Sequence, residues 1–330
     1  MAGGSKLAVG AAIAGNSLVA VSKFAAFFLT GSGAMLSEGI HSFADTLNQV
    51  LLMIGIVRSD RQADGKFRYG YHAERYVWAL ISAVGIFFLG CGVTLYHGID
   101  AFFHPHAVES PEIAVGVLIF ALIVEGIVLW VAFKALWKAA EGRPFWKYLN
   151  TEADPSAVAV FFEDGAACLG VVIALAAIGL SHATGDARWD AVGSIVIGLL
   201  LGALAIWLIA RNQMLLVGPS IPDADRDAIR KILDDSPIVE EVIDLRTRVL
   251  STEHYRVKIN AVFDGAVMSH KLDPALRKAY DEVKDFEGFK DFAHSYADMV
   301  SDLLGDEIDE LERQIKAVVP KAEYIDIEAD

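Results

Sequence analysis

An imidazole and a carboxylate lie four residues apart inside a long apolar stretch of this sequence. His41 and Asp45 stand within residues 34–57, which are otherwise mostly apolar. Residues four apart share one face of a helix, so one ring nitrogen and one carboxylate oxygen can reach the same cation. Glu38, three residues before His41, lies near the same face. This spacing favours a binding site for a divalent metal ion.

A second apolar stretch, residues 156–181, carries two adjacent carboxylates, Glu163 and Asp164. A charged group in hydrocarbon costs about 2.5–3.5 kcal/mol on insertion scales, so each such group needs a partner or a function. A carboxylate from this stretch would complete a site of one nitrogen and two or three oxygens. That set suits zinc and also manganese, iron(II) or cobalt. The alternative is that His41 and Asp45 hydrogen-bond each other or a neighbouring helix and bind no metal.

Two further ionisable residues lie in apolar stretches. Lys23 and Glu125 have opposite charges, and mutual charge compensation or pairing with the metal site is their simplest role. Glu125 as a proton carrier or an additional ligand is the alternative. Asp190, at the start of the last apolar stretch, is interpreted as a helix-end contact.

The elements that must position these residues are long apolar helices. The chain has 330 residues, 54% of them hydrophobic, and a mean hydropathy of +0.42. A helix needs about 20 mostly apolar residues to cross a bilayer. Six stretches qualify, and we predict six transmembrane helices over residues 7–30, 34–57, 76–98, 111–137, 156–181 and 189–216.

Charge divides the chain near residue 217. Residues 217–330 hold 27 Asp and Glu against 15 Lys and Arg, which accounts for most of the net charge of −15. We predict a transmembrane domain over 1–216 and an acidic cytoplasmic domain over 217–330. An acidic domain repels phosphates, so nucleic-acid binding is excluded. Lys and Arg concentrate in the second and fourth connections, which predicts that both termini are cytoplasmic.

The C-terminal part shows the patterns of a small α+β domain. We predict a helix over 222–235, strands over 239–250 and 254–263, helices within 271–318, and a last strand over 323–327.

These residues resemble a known family, the cation diffusion facilitators, over nearly the whole chain. Asp154-Pro155 followed by Glu163–Ala167 is similar to the branch that includes mitochondrial-type zinc transporters. The other segments that carry the resemblance are Lys23 through Thr30–Leu36 to Asp45, Arg68–Tyr71 before the third helix, and Asp244–Arg248 at the start of the soluble domain.

The resemblance implies a homodimeric metal/proton antiporter that exports zinc from the cytoplasm by alternating access. It implies a tetrahedral site made by two residue pairs on the second and fifth helices. When the family's pattern is transferred to this sequence, His41 and Asp45 correspond to the first pair, and Asp164 corresponds to the last ligand of the second pair. It also implies a ferredoxin-like cytoplasmic domain that dimerises.

The sequence departs from the family pattern at three places. Val160 stands four residues before Asp164, where many members have His, so Glu163, Glu38 or water is left as the fourth ligand. Of the family's site in the second connection, Asp64 is the residue retained. The cytoplasmic metal site lacks its histidines.

The partners expected are a divalent metal ion, protons and membrane lipid, with no catalytic residues and no cofactor. An enzyme is not expected, because the sequence has no HExxH and no Ser/His/Asp set. The expected location is a bacterial inner membrane. Two alternatives remain open: a manganese, iron(II) or cobalt transporter of the same fold, and a membrane scaffold or sensor that binds metal without moving it.

Overall fold

The computed structural model describes residues 2–105, 110–140, 142, 144–151, 155–251 and 254–330. Within its helices the side chains of 2–12, 14, 147, 150, 151, 155–157, 159 and 160 lie outside this description. The chain forms two compact units, Met1–Val217 and Gly218–Asp330.

The first unit is entirely helical in its described residues. Its third helix, α3 (Glu74–Phe103), contains a π-helical segment, Ile86–Val93. The helices are α1 (Ala2–Thr30), α2 (Gly33–Ser59), α3 (Glu74–Phe103), α4 (Pro111–Ala139), α5 (Phe145–Thr151), α6 (Pro155–Thr184) and α7 (Arg188–Val217).

Five of these helices, α2, α3, α4, α6 and α7, are long and apolar enough to cross a membrane. The sequence predicts their positions to within a few residues, because each is a continuous apolar stretch bounded by polar residues. In α1 the described apolar part is shorter, Gly15–Thr30. The short helix α5 and the π-helical segment were not predicted, because neither has a distinctive pattern of polar and apolar residues.

The turn between α1 and α2 is fixed by three polar or small residues. Gly31 adopts φ +65°, which costs glycine little. The hydroxyl of Ser32 caps α2 by accepting a hydrogen bond from the Met35 amide. Asp190, at the start of α7, accepts hydrogen bonds from the Ser32 hydroxyl at 2.7 Å and the Gly33 amide at 2.5 Å. The interpretation of Asp190 as a helix-end contact is confirmed.

Glycines on α7 let neighbouring helices approach closely. A Cβ at Gly198 would lie 3.0 Å from Leu95, and one at Gly202 would lie 2.8 Å from the Cys91 sulfur. Small residues at helix contacts allow the dense packing that holds helices together where no hydrophobic effect acts between them. The polar side chains of the candidate site therefore lie in a closely packed bundle.

The second unit is a small α+β domain with a three-stranded sheet. Strand β1 is antiparallel to β2, and β2 is parallel to β3. One face buries a core that includes Ile229, Leu233, Val257, Ile259 and Ile315. The elements are α8 (Asp223–Asp234), β1 (Val239–Val249), β2 (Tyr255–Phe263), α9 (Gly265–Lys271), α10 (Asp273–Glu282), α11 (Phe286–Val318) and β3 (Ala322–Ala329).

The predicted strands agree with this domain to within a few residues. The helical region between β2 and β3 begins earlier than predicted, at Gly265, because the Asp264 carboxylate caps α9 by accepting from two backbone amides. Asp285 caps α11 in the same way. The region therefore consists of three helices.

Candidate metal-transport site

Helix α2 presents four polar side chains along one stripe: Glu38, His41, Asp45 and Asn48. The intervals of three and four residues place them on one face over three turns. Glu38 is fully buried, His41 is 1% exposed, and the Asp45 side chain is 15% exposed. The predicted face therefore points into the protein and not towards lipid.

His41 and Asp45 lie close together without a hydrogen bond. His41 Nε2 is 3.3 Å from Asp45 Oδ2. Neither ring nitrogen of His41 has a hydrogen-bond partner in the part of the chain that the structure describes. Since buried polar atoms are nearly always paired, an imidazole with both nitrogens unpaired is a candidate ligand for a cation.

Helix α6 brings Glu163 and Asp164 to the same region. Glu163 is 7% exposed and accepts a 2.7 Å hydrogen bond from the Asn48 side-chain amide of α2. Asp164 Oδ2 is buried and has no hydrogen-bond partner among the described residues. Both carboxylates lie close enough to Asp45 to interact with it electrostatically.

In the described part of the chain, these carboxylates have neither lysine nor arginine as a partner. Within the described residues, no lysine or arginine forms an ion pair with Asp45, Glu163 or Asp164. Three neighbouring carboxylates that are buried or partly buried and have no ion-paired lysine or arginine are stabilised by a bound cation or by protons, because a buried charge without a close partner is strongly unfavourable. The arrangement can therefore exchange a metal ion for protons.

The candidate ligands are near one another but not fully assembled. In the described chain, no three of His41, Asp45, Glu163 and Asp164 place ligand atoms within 4.8 Å of one another. Coordination of one ion therefore requires side-chain rotation or a small approach of α2 and α6. Val160 lies on α6, and its side chain is outside the described residues.

A separate charged cluster lies beside the α2 stripe. The Lys23 ammonium contacts Glu38 Oε2 and Glu125 Oε1, each at 2.8 Å, and donates to the Ser42 hydroxyl at 2.9 Å. Lys23 and Glu38 are fully buried, and the Glu125 side chain is 10% exposed. Lys23 and Glu125 are thus ion-paired with each other, and Glu38 shares the same ammonium.

The position of Glu38 depends on a glycine of α6. A Cβ at Gly170 would overlap Glu38 Oε1. Glu38 therefore occupies space that any other residue at position 170 would fill. The chain gave no signal of this role, because glycine is common in membrane helices.

Asn48 and Ser82 are polar contacts that sequence reasoning did not identify. The Ser82 hydroxyl of α3 donates a 2.6 Å hydrogen bond to Asn48 Oδ1. Asn48 follows Asp45 by three residues, so its place on the stripe could have been noticed. Ser82 had no such signal, since a serine in an apolar helix usually bonds its own backbone.

The Asp64 carboxylate is already engaged in its loop. It accepts hydrogen bonds from the amides of Lys66 and Phe67 and from the Tyr71 hydroxyl, the last at 2.6 Å. The Tyr71 bond, together with the two amide bonds, holds the pKa of Asp64 below its ordinary value. These bonds give Asp64 a role in loop structure.

In the sheet of the second unit, the segment that resembles the start of the family's cytoplasmic domain, Asp244–Arg248, lies on β1. Asp244 on β1 pairs with Asn260 on β2 in the sheet register, and its carboxylate lies 2.5 Å from the Arg246 guanidinium. An arginine in that position competes with a cation for the carboxylate.

Comparison with known proteins shows the family to which the chain is related. Residues 9–216 match a family model described as the cation efflux transmembrane domain. The chain is 37% identical over 96% of its length to proteins named proton-coupled zinc antiporter SLC30A9, mitochondrial, from Xenopus laevis and Homo sapiens, covering 58% and 57% of their lengths. It is 36% identical over 98% of its length to metal tolerance protein C4 of Arabidopsis thaliana, covering 73% of that protein.

The chain thus spans under three fifths of the length of the vertebrate relatives. Their mitochondrial names do not fit the bacterial inner membrane expected from the sequence.

Proposed function

The chain belongs to the cation efflux family, and from that premise we propose that it is a divalent-metal transporter that exchanges zinc for protons. One observation carries the proposal. In the described residues, the carboxylates of Glu163, which is buried, and of Asp45 and Asp164, which are partly buried, have no lysine or arginine as an ion-pair partner, and a buried imidazole beside them has both nitrogens without a hydrogen bond. Such a group is stable when a metal ion or protons neutralise it.

We assign His41, Asp45 and Asp164 as ligands of the transported ion, with Glu163 as the fourth. Support for Glu163 is its hydrogen bond to Asn48, which draws its carboxylate towards the α2 stripe. Glu38 is assigned instead to the charge cluster, because one of its oxygens is bound by the Lys23 ammonium. One nitrogen and three oxygens match the four-coordinate preference of zinc.

The mechanism is alternating access. The ion enters from the cytoplasm and displaces protons from His41 and the carboxylates, because metal ligands must be deprotonated. The side chains then close around it, which their present separation requires. After the helices rearrange, the opposite solution protonates the same groups and releases the ion.

The topology that serves this mechanism has six membrane crossings, with α1 as the first and both termini cytoplasmic. The C-terminal unit is a ferredoxin-like cytoplasmic domain, and the active form is a homodimer embedded in lipid. An even number of crossings places both termini on the same side of the membrane. The lysines and arginines of the second and fourth connections support the cytoplasmic side. Native mass spectrometry of the detergent-solubilised protein tests the dimer, and detection of the monomer alone would contradict it.

A second candidate is transport of manganese, iron(II) or cobalt. The observation that favours it is the donor set, which has one imidazole and otherwise oxygens. Oxygen-rich sites suit harder cations than zinc. Competition among these ions for uptake decides between the two candidates.

The test is metal uptake into vesicles reconstituted with the purified protein, at two pH gradients and with zinc, manganese, iron(II), cobalt and cadmium in turn. We expect zinc uptake driven by the proton gradient, and its loss in Asp45→Ala and in Asp164→Ala. Glu112→Ala is the matched control, because Glu112 is an exposed carboxylate in the first turn of α4. Normal uptake by both site variants overturns the assignment, and binding of metal without counterflow makes the protein a scaffold or sensor.

A further inference from the structure

Three helices of the membrane unit are linked by a chain of two buried hydrogen bonds. The Ser82 hydroxyl of α3 donates to Asn48 Oδ1 of α2 at 2.6 Å. Asn48 Nδ2 in turn donates to Glu163 Oε2 of α6 at 2.7 Å. Ser82 and Asn48 are each 3% exposed and Glu163 is 7% exposed. Water and lipid therefore have little access to these bonds.

The two bonds share one orientation of the Asn48 side-chain amide. A side-chain amide has an oxygen that accepts and a nitrogen that donates. With its oxygen bound by the Ser82 hydroxyl, the Asn48 amide must turn its nitrogen towards Glu163. The reversed amide would place its oxygen against the carboxylate, where both atoms carry negative partial charge. When Glu163 is deprotonated, as a metal ligand must be, its carboxylate therefore favours one orientation of the Asn48 amide.

The two hydrogen bonds hold the Glu163 carboxylate next to the face of α2 that carries His41 and Asp45. Asn48 follows Asp45 by three residues and lies on the same stripe of α2. Its amide is neutral, so it holds one oxygen of Glu163 without adding a charge that would compete with a metal ion. The adjacent Asp164 differs, because its buried Oδ2 has no hydrogen-bond partner among the residues described.

We propose that Ser82 and Asn48 are positioning residues that hold Glu163 as the fourth ligand of the transported ion. The proposal rests on the proposed function. Residues that orient metal ligands through hydrogen bonds affect metal affinity by about 10–100-fold when they are removed. Asn48 contacts Glu163 and Ser82 contacts Asn48, and neither is assigned as a ligand of the ion. Their loss should therefore weaken metal binding more than it slows the transport cycle.

The experiment measures the KM and kcat of zinc uptake in reconstituted vesicles for Asn48→Ala and Ser82→Ala. We expect Asn48→Ala to raise KM by about 10–100-fold. Ser82→Ala should raise it by a smaller factor, because the amide remains and is only less well oriented. In both variants kcat should change less than KM. Zinc titration calorimetry of the detergent-solubilised proteins should give the same order of affinities.

A matched control is available on the same helix. Thr94 of α3 is fully buried, and its hydroxyl has no hydrogen-bond partner in the described part of the chain. Thr94→Val therefore deletes a buried hydroxyl without breaking a bond to Asn48, and its KM should equal that of the unmodified protein. Ser82→Thr keeps a hydroxyl at the position and should restore most of the affinity that Ser82→Ala loses.

The outcomes separate this inference from the proposed function. If the unmodified protein transports no metal, the proposed function fails. If it transports zinc but both Asn48→Ala and Ser82→Ala keep their KM within about twofold, the positioning role is refuted while transport stands. A KM increase in Thr94→Val equal to that in Ser82→Ala also refutes it. Should Asn48→Ala not fold, the milder Ser82→Ala and its Ser82→Thr rescue decide the question.

Discussion

Replacing Lys23, whose ammonium is buried, should lower the free energy of unfolding far more than replacing one of its two carboxylate partners. The cluster contains one cation and two anions, with both N···O distances at 2.8 Å. Glu125→Gln leaves a balanced pair of Lys23 and Glu38. Lys23→Met leaves two buried carboxylates, which must either stay charged without a counter-ion or each take up a proton. Both outcomes cost free energy at neutral pH.

The size of the difference follows from these distances. At an effective dielectric constant of about 20, two unit charges at this separation attract by about 6 kcal/mol before desolvation is subtracted. After desolvation, removing one partner of a buried ion pair destabilises a protein by about 3–5 kcal/mol. We expect Lys23→Met to lower the free energy of unfolding by about that amount. Glu125→Gln keeps an oxygen for Lys23 and should cost about 1 kcal/mol.

The assay is unfolding in mixed detergent micelles, followed by a thiol-reactive dye. The chain has two cysteines and both are free. Cys91 is buried and Cys168 is partly exposed, so the reaction of Cys91 with the dye reports the opening of the helical unit. A combined Lys23→Met/Glu125→Gln variant should recover part of the stability lost by Lys23→Met, because one of the two unpaired carboxylates is then neutral. The reasoning is refuted if Lys23→Met is no more destabilising than Glu125→Gln.

Three further predictions concern packing, capping and pH. Gly170→Ala should lower the free energy of unfolding by about 1–3 kcal/mol, because its added Cβ overlaps Glu38. Gly179→Ala on the same helix should not, because no atom lies near its added Cβ. Equal midpoints of thermal unfolding for the two variants would contradict this prediction. Asp190→Ala should cost about 1–3 kcal/mol in the same measurement, because the start of α2 loses its charged acceptor; an unchanged midpoint would remove that role. The folded pKa of Asp64 lies below its ordinary value of 3.8, so the stability that its hydrogen bonds give the loop is present above that pH and lost as the pH falls through the folded pKa. Hydrogen exchange of the two loop amides should therefore lose protection below pH 3.8, and protection that is independent of pH in that range would count against it.

Two neighbouring residues of α6 show which features of the site could be predicted from the sequence and which could not. Glu163 and Asp164 were both candidates, because a carboxylate in an apolar helix is conspicuous in any single sequence. Their different surroundings were not predictable. Adjacent residues point about 100° apart on a helix, and only the packing of α2 against α6 puts Asn48 next to one of them.

The role of Glu38 illustrates the same limit. Its spacing from His41 made it a candidate ligand, since both lie on one stripe of α2. The structure places Lys23 of α1 and Glu125 of α4 beside it, at sequence separations of 15 and 87 residues, and Gly170 of α6 makes room for it. The pairing of Lys23 with Glu125 was predicted from their opposite charges and is confirmed. The place of Glu38 in the same cluster was not predicted, because contacts between distant segments leave no trace in local spacing.

The sequence by itself determined the apolar helices, the acidic C-terminal unit and the stripe of ionisable residues on α2, because each depends on local composition or on a helical period of 3.6 residues. Tertiary structure alone decided which carboxylates have a cationic partner and which do not. That outcome depends on how several helices pack together, and in a low-dielectric interior the distance between two charges, and not their presence in the sequence, sets whether they neutralise each other.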